Sequence, residues 1–513
     1  MICIVIKGPS FQEAREQISK AMECADVVEL RLDGFESLDL AALQKLRSQF
    51  RISMIFTLRS KIQGGSYIQS EENRLADILS LMQLKPEFVD LENHIPLQFI
   101  DEIASQYPES KIIFSCHNFR ETPSDLEGLY REMKKTPAHF YKIALMANRC
   151  CDALRLIDWM KQADDGKLIA ISMGGHGQIG RILAPKMGCP ITYACLDEDQ
   201  KTAPGQLSAR TLIERFHYYS INPRTALFGL IGNPIDQSIG DQTHNAIMKD
   251  YGLEAVYMKM QVTPLELAPF MEYARSLPFC GISVTMPLKE AVIPFLDVLD
   301  PHAAAIGAVN TLVFKQGKIL GYNTDGTGAL NAIESKCLVR DKRIIIIGAG
   351  GAAKAIAYEA LRRGALVTIV NRNKQKARMA GELLKCAYKG LDEMSACAEA
   401  GYDILINCTP DPLPISVDDI LPEAIVMDIT TKPKETLLLK YAMEKGCVII
   451  YGYEMFVEQA LGQFDLWFNG QIDRDECRYN LKNMAEVLVS NSKIHSKVLK
   501  KHPRMGMSAS SPG

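Results

Sequence analysis

Nowhere in this chain do two cysteines stand at Cys-x-x-Cys spacing, although it has fourteen of them. With Cys150 and Cys151 adjacent as well, the thiols read as reduced and mostly buried in a cytoplasmic protein, and a disulfide frame or a zinc site is not expected. There is no run of about 18 uncharged apolar residues, so no membrane span is expected. Met1 leads directly into the strand-like Ile2–Ile6, which leaves no room for a secretory leader. An excess of charge of one sign is lacking too: the net charge is −3, with no basic stripe in the part expected to fold, which argues against nucleic acid as a partner. The first two hundred residues also lack a glycine-rich phosphate loop.

What is present is a globular balance, 47% hydrophobic and 23% charged, which argues against disorder. At 513 residues the chain exceeds one core. The length suggests three or four domains of about 150 residues, or fewer if one is an α/β barrel. Short β-type runs at Ile2–Ile6, Val27–Leu32, Ile52–Leu58, Phe88–Leu91, Lys111–Ser115, His139–Ala144, Leu168–Ser172 and Ile191–Ala194 alternate with helical stretches. Eight such alternations over about 215 residues is the (β/α)₈ count.

Polar residues fall at the ends of these strands, where such barrels carry their chemistry. Glu29 and Arg31 are two apart and so share one strand face. Arg59 follows the third strand, His117 the fifth and Arg181 the seventh, while Lys142 lies inside Phe140-Tyr-Lys-Ile-Ala-Leu145. Burial of a lysine lowers its pKa, and a neutral amine is what Schiff-base chemistry needs. Alternatively Lys142 snorkels to water, and His117 is a structural histidine. Taken together, a lysine, a histidine and three arginines suggest carbonyl chemistry on a carboxylate substrate.

After about a dozen joining residues a second βα pattern starts. Hydrophobic strands end in Gly/Pro turns with one polar residue at the tip: Gly232-Asn-Pro-Ile-Asp-Gln-Ser238, Gly281-Ile-Ser-Val-Thr285-Met-Pro-Leu-Lys289, Ile306-Gly-Ala-Val-Asn310 and Gly321-Tyr-Asn-Thr-Asp325. Each charge taken alone reads as a solvated loop residue. Farther on, strand Ile344–Ile347, the turn Gly348-Ala-Gly350-Gly351-Ala352-Ala353 and helix Lys354–Arg363 form the strand–turn–helix context of a dinucleotide site. The following strand ends in Asn371-Arg372-Asn373, where an NAD site would usually carry an acid. Arg372, with Lys376 nearby, suits a 2′-phosphate and predicts NADP.

Over residues 1–215 the ordered motifs Glu29-Leu-Arg31-Leu-Asp33, Thr57-Leu-Arg59-Ser60 with Gly64-Gly65, Ser115-Cys-His117-Asn-Phe119, Tyr141-Lys142-Ile-Ala144, Ser172-Met173 with Arg181, and Ala203-Pro-Gly-Gln206 resemble the type I 3-dehydroquinate dehydratases. The resemblance implies that Lys142 forms an imine with the substrate ketone and that His117 is the acid–base. It also implies that Arg31, Arg59, Arg181, Glu29, Thr202 and Gln206 line the substrate pocket. Gln63 stands where that family usually has a glutamate, and Thr202 where it usually has a serine.

Residues 225–485 resemble shikimate dehydrogenase. That resemblance implies Lys289 and Asp325 as the catalytic pair, Ser238, Thr285, Asn310 and Gln459 as substrate contacts, and Gly348, Gly350, Gly351, Ala352, Asn371, Arg372 and Lys376 as the NADP site. Gly240 replaces the second serine of the family's Ser-x-Ser, and Thr430-Thr431 stands where a tyrosine is expected.

The expected fold class is therefore α/β. A (β/α)₈ TIM barrel at 1–215 and a joining segment at 216–227 precede a substrate-binding lobe at 228–325, completed by 455–490. A Rossmann-type NADP-binding lobe occupies 326–454, and a basic, then Ser/Pro/Gly-containing tail at 493–513 is expected to be disordered. The expected function is consecutive dehydration and NADPH-dependent reduction on small-molecule substrates, with no membrane or nucleic-acid partner and with a homo-oligomer left open. Two alternatives are a chain with only one active half and a regulator that senses quinate-type ligands. Such a sensor is expected to lose Lys142, Lys289 or Asp325, and all three are present.

Overall fold

Runs of Ile, Val, Leu and Phe are what parallel strands covered on both faces require. The computed structural model describes residues 1–163, 165–198 and 203–490, so Thr202 and the 493–513 tail lie outside the described residues. The first eight strands are β1 (Ile2–Ile6), β2 (Val27–Arg31), β3 (Ser53–Thr57), β4 (Phe88–Glu92), β5 (Lys111–Asn118), β6 (Phe140–Met146), β7 (Leu168–Met173) and β8 (Thr192–Ala194). They pair in parallel in the order β7-β6-β5-β4-β3-β2-β1-β8. No hydrogen-bonded ladder joins β7 to β8 among the described residues, so the barrel is nearly closed. Strand β5 runs three residues farther than its apolar stretch suggests and carries His117 within its last turn of pleat.

The registers Arg31↔Thr57, Thr57↔Asp90, Glu92↔Ser115 and Ser115↔Lys142 bring the polar residues of five neighbouring strands to one end of the barrel.

The second sheet contains β9 (Ala226–Gly232), β10 (Ala255–Gln261), β11 (Phe279–Val284), β12 (Val298–Leu299), β13 (Thr311–Lys315) and β14 (Lys318–Tyr322), in the order β10-β9-β11-β13-β14-β12. The chain forms two compact units, and this sheet belongs with the barrel in the first: Met1–Thr324 plus Gln463–Ile472. One continuous apolar cluster runs from the barrel into the lobe, from Ile2 to Ile319. The joining segment is part of it, with Phe216, Tyr218 and Ile221 all buried. Polar contacts across the seam include Arg215 to Asp241 at 3.1 Å and Lys161 to the Ser276 carbonyl at 3.2 Å.

The second unit holds β15 (Arg343–Ile347), β16 (Leu366–Asn371), β17 (Ala387–Gly390), β18 (Ile404–Asn407), β19 (Ile425–Asp428) and β20 (Val448–Ile450). These are all parallel in the order β17-β16-β15-β18-β19-β20, the doubly wound dinucleotide-binding order. Separate apolar clusters cover its two faces.

The expectation was that 455–490 completes the substrate lobe. Only Gln463–Ile472 groups with that lobe. Helix Arg474–Ser490 stays with the nucleotide unit, where Arg478 meets Glu458 at 2.6 Å and Glu486 meets Lys434 at 2.8 Å. Among the described residues no helix is long and apolar enough to cross a membrane.

Candidate active sites

In the barrel, Lys142 is only 3% exposed and is not an isolated amine. Its Nζ lies 3.0 Å from Asp90 and 3.5 Å from Glu29, and its cation sits 3.9 Å from the centre of the Tyr193 ring. Lys142 is thus buried and ion-paired rather than snorkelling to water. Burial would raise the Asp90 pKa, but Arg59 and then Lys142 hold it far below the usual carboxylate range.

His117 is next to this pair. Burial, then the nearby Arg59 and Lys142 charges, push its pKa well below the ordinary histidine value, so the ring is neutral at neutral pH. Gln63 takes the position expected for a glutamate. Its Oε1 accepts from the His117 backbone N–H at 3.1 Å and lies 2.9 Å from Nδ1, while its Nε2 donates to Asn93 Oδ1 at 2.6 Å. The backbone donor determines which end of the amide faces His117, so Nδ1 carries the hydrogen and Nε2 is the free base.

The three arginines differ. Arg31 makes two 2.9 Å bonds to Asp33. Arg59 is ringed by Asp90 at 2.9 Å, Glu92 at 3.6 Å and Glu29 at 3.9 Å. Burial alone would lower its pKa, but Asp90 and Glu92 raise it instead. Arg181 is buried with no carboxylate partner among the described residues. Its Nη1 donates to the Tyr193 carbonyl at 2.8 Å and its Nε has no partner among the described residues. Burial pushes its pKa down to about 10. A buried cation without a counterion is a site waiting for an anion.

The loop Ala203–Gln206 packs against the Gly174 turn that follows β7. A Cβ on Gly205 would lie 1.8 Å from the Gly174 carbonyl oxygen, and its φ is +71°, so only glycine fits. The Gly174 N–H donates to the Pro204 carbonyl at 3.0 Å, and Gln206 is buried beneath.

In the substrate lobe, Ser238, Thr285 and Lys289 are half-buried and Asn310 is fully buried. Ser238 Oγ accepts from the Gly240 N–H at 3.2 Å. A Cβ on Gly240 would come within 3.3–3.4 Å of Ser238 Oγ and of the Tyr257 ring and hydroxyl, so a side chain there would require these neighbours to give by a few tenths of an ångström. Asn310 Nδ2 donates to Thr324 Oγ1 at 2.9 Å, just before Asp325. Asp325 and Gln459 belong to the second unit, where Asp325 opens helix Asp325–Glu334 and Gln459 Nε2 donates to the Phe456 carbonyl at 3.2 Å.

The nucleotide loop follows β15. Gly348 adopts φ +118°, and a Cβ on Gly350 would meet nothing within 4 Å, which leaves open space above the loop. Gly350 caps helix Gly351–Arg362 without a side-chain bond, so the helix N–H groups and Ala352 in its first turn are free to face a phosphate. At the end of β16, Asn371 bonds the Asn373 carbonyl at 3.0 Å. Lys374, Arg378 and Lys389 pair with Glu393, Glu382 and Glu393, but Arg372 and Lys376 are exposed and make no ion pair among the described residues. Two free cations next to the ribose end of a dinucleotide fold fit a 2′-phosphate.

The family described as type I 3-dehydroquinase matches residues 2–223, the shikimate dehydrogenase substrate-binding domain matches 230–312, and shikimate / quinate 5-dehydrogenase matches 332–437. The chain is also 37% identical to the shikimate biosynthesis protein AroDE of Chlamydia pneumoniae, over 95% of this chain and 100% of that one. The chain belongs to the AroDE family.

Other relatives agree. The chloroplastic bifunctional 3-dehydroquinate dehydratase/shikimate dehydrogenase of Arabidopsis thaliana is 34% identical over 91% of this chain and 82% of its own length. The shikimate dehydrogenase (NADP(+)) of Pyrococcus furiosus is 41% identical over 48% of this chain and 92% of its own.

Within this AroDE chain the structure adds residues that sequence reasoning missed. Asp90 and Glu92 hold Arg59, Ser115 Oγ bridges Arg59 at 2.8 Å and Asp90 at 2.6 Å, and Tyr193 covers Lys142. Asp90 could have been found by the reasoning used for Lys142: it is an acid inside the apolar strand Phe88-Val-Asp-Leu-Glu92. Near the Thr430-Thr431 departure, Asp428 is buried and accepts from Asn407 at 3.0 Å, Thr436 at 2.8 Å and the Thr430 N–H at 2.9 Å, which makes it a structural carboxylate.

Proposed function

We propose that the barrel dehydrates 3-dehydroquinate to 3-dehydroshikimate through an imine on Lys142, and that the second half reduces 3-dehydroshikimate to shikimate with NADPH. The product of the first site is the substrate of the second. The observation that carries the reading is the combination of a buried lysine, a neutral, oriented histidine and a buried arginine without a counterion among the described residues.

In the barrel, the Lys142 amine adds to the ketone carbon and water leaves, giving an iminium. The iminium draws electrons from the adjacent carbon, so His117 Nε2 can remove its proton. The same proton is returned to the departing hydroxyl, and water then hydrolyses the imine to free Lys142. Arg181 binds the substrate carboxylate. Arg31 and Arg59, both already paired, act with Glu29 and Gln206 to shape the pocket and bind hydroxyls, and Thr202 adds a further hydroxyl.

In the reductase, Gly348, Gly350, Gly351 and Ala352 take the pyrophosphate, and Asn371, Arg372 and Lys376 take the ribose phosphate. NADPH, when bound, supplies the hydride. Lys289 and Asp325 are the acid–base residues that deliver the proton to the carbonyl oxygen, while Ser238, Thr285, Asn310 and Gln459 hold the substrate. Fourteen free cysteines suit a reducing, cytoplasmic setting.

The test is incubation with dehydroquinate and NADPH while the dehydroshikimate chromophore and NADPH consumption are both followed. Chromophore without NADPH oxidation removes the reductase reading, and reduction of added dehydroshikimate without dehydration of dehydroquinate removes the dehydratase reading.

Two consequences concern single residues. Because His117 must be neutral to act as a base and its pKa is depressed, the acid limb of dehydratase kcat/KM is expected below pH 6.5, the ordinary histidine value. Gln63→Glu places a carboxylate against Nδ1, stabilises the imidazolium and should move that limb upward by about one unit or more. A pH profile of parent and variant that superimpose would remove Gln63 from control of His117. In the reductase, Arg372→Ala is expected to lower kcat/KM for NADPH by roughly 10–100-fold with little change for NADH, the loss of one charge-assisted contact. Equal losses with both cofactors would show that Arg372 does not read the 2′-phosphate.

A further inference from the structure

Gln463 lies on helix Gly452–Phe468 and is 2% exposed, yet its side chain is engaged at both ends. Its Oε1 accepts from Ser283 Oγ at 3.0 Å. Its Nε2 donates to Thr311 Oγ1 at 3.1 Å and to the Asn310 carbonyl at 3.3 Å. Ser283 in turn accepts from the Tyr257 hydroxyl at 2.8 Å. Thr311 Oγ1 passes its hydrogen to Asn310 Oδ1 at 2.7 Å, and that oxygen also accepts from the Thr324 N–H at 2.9 Å. A buried chain of side chains thus runs Tyr257–Ser283–Gln463–Thr311–Asn310–Thr324, all within the first unit.

The direction of the hydrogens gives this chain a purpose. A threonine hydroxyl has one hydrogen. The Thr324 N–H fixes the oxygen end of the Asn310 amide, and because Gln463 Nε2 donates to Thr311, the Thr311 hydrogen is free to bond that same oxygen while the amide nitrogen faces Thr324 Oγ1. Ser283 is two residues before Thr285, on the strand that leads into the Thr285–Lys289 turn. A polar network satisfied throughout in a low-dielectric interior holds one arrangement against alternatives.

We propose that Gln463 is a positioning residue for the reductase: through the Asn310 carbonyl and the Thr311 hydroxyl it braces Asn310 and so the geometry with which substrate is held, without touching substrate itself. The inference rests on reading Asn310 as a substrate contact. Gln463→Glu is the informative variant. It keeps the shape of the side chain, but its carboxylate only accepts, so it draws the Thr311 hydrogen away from Asn310. Gln463→Leu removes both ends.

The experiment measures both activities of the full chain for the parent, Gln463→Glu, Gln463→Leu, Asn310→Ala and the Leu/Ala double variant. The expected result is a KM for dehydroshikimate raised about tenfold or more in both Gln463 variants, with KM for NADPH and dehydratase kcat/KM within about twofold of the parent. The Gln463→Leu effect should largely vanish in the Asn310→Ala background, because both act through one amide. If Gln463→Leu fails to fold, lost dehydratase activity will reveal it, and Gln463→Glu then decides. An unchanged KM in Gln463→Glu, or additive effects in the double variant, overturns the proposal. Wild-type KM in Asn310→Ala instead removes Asn310 from the substrate site, and the positioning role falls with it.

Discussion

Replacing Lys142 by arginine is expected to abolish borohydride trapping of substrate and to lower dehydratase turnover by about 10⁴-fold or more, while NADPH-dependent reduction on the same chain stays within about twofold of the parent. Arginine is the better substitution for a structural reason. Lys142 lies between Asp90 and Glu29, both buried. Alanine would leave two carboxylates short of a cation, and breaking a buried pair in this way destabilises by about 3–5 kcal/mol. Loss of activity in the alanine variant could then be loss of fold. Arginine keeps the positive charge, but its guanidinium stays protonated and cannot form an imine. Borohydride reduces an iminium to a stable secondary amine, so the parent incubated with dehydroquinate should gain the mass of one reduced, bound substrate on Lys142. A mass gain in Lys142→Arg would place the adduct on another amine. Turnover above about one hundredth of the parent would show that the barrel works without covalent catalysis.

The residues legible in the sequence are those whose cost or motif is local. Lys142 stands out because an amine inside Phe140–Leu145 is expensive to bury, and the Gly348–Ala353 turn because strand, turn and helix are contiguous. Asp90, an acid inside an apolar strand, was legible in the same way, but its partners were not. Asp90 meets Lys142 and Arg59 only through barrel closure, across sequence separations of 52 and 31 residues, and each strand taken alone gives no hint of the other. The same limit hid Gln463, one more polar residue on an amphipathic helix until the fold sets it against Ser283 and Thr311. Nor does the sequence mark the ion pairs that helix Arg474–Ser490 makes with Glu458 and Lys434. The eight-strand count held for the barrel because parallel strands buried on both faces are continuous apolar runs, the most readable kind.

Those same counterions also separate three arginines that looked alike in sequence. Arg31 and Arg59 are saturated by protein carboxylates, and Arg181 is not. Holding Arg181 charged in its buried position is unfavourable: a pKa pushed down to about 10 from an ordinary 12.5 corresponds to about 3 kcal/mol at roughly 1.4 kcal/mol per unit. The sign follows directly. A base with a depressed folded-state pKa opposes folding at every pH where the unfolded chain carries the charge, and neutral pH is well inside that range.

Arg181→Met should therefore stabilise the apoprotein, raising Tm by a few degrees, while lowering dehydratase kcat/KM by about 10²–10³-fold through loss of charge-assisted bonds to the substrate carboxylate worth roughly 1.5–3 kcal/mol each. A stabilising substitution that disables one reaction and spares the other distinguishes a binding charge from a structural one, because a structural arginine would lose stability on removal. Substrate should raise the Tm of the parent more than that of Arg181→Met, since the carboxylate supplies the counterion only where the guanidinium remains. Arg181→Lys, which keeps charge but not the two-pronged geometry, should fall between the two in kcat/KM. If Arg181→Met melts lower than the parent, or retains its kcat/KM, the carboxylate is held elsewhere and the unpaired guanidinium has a different role.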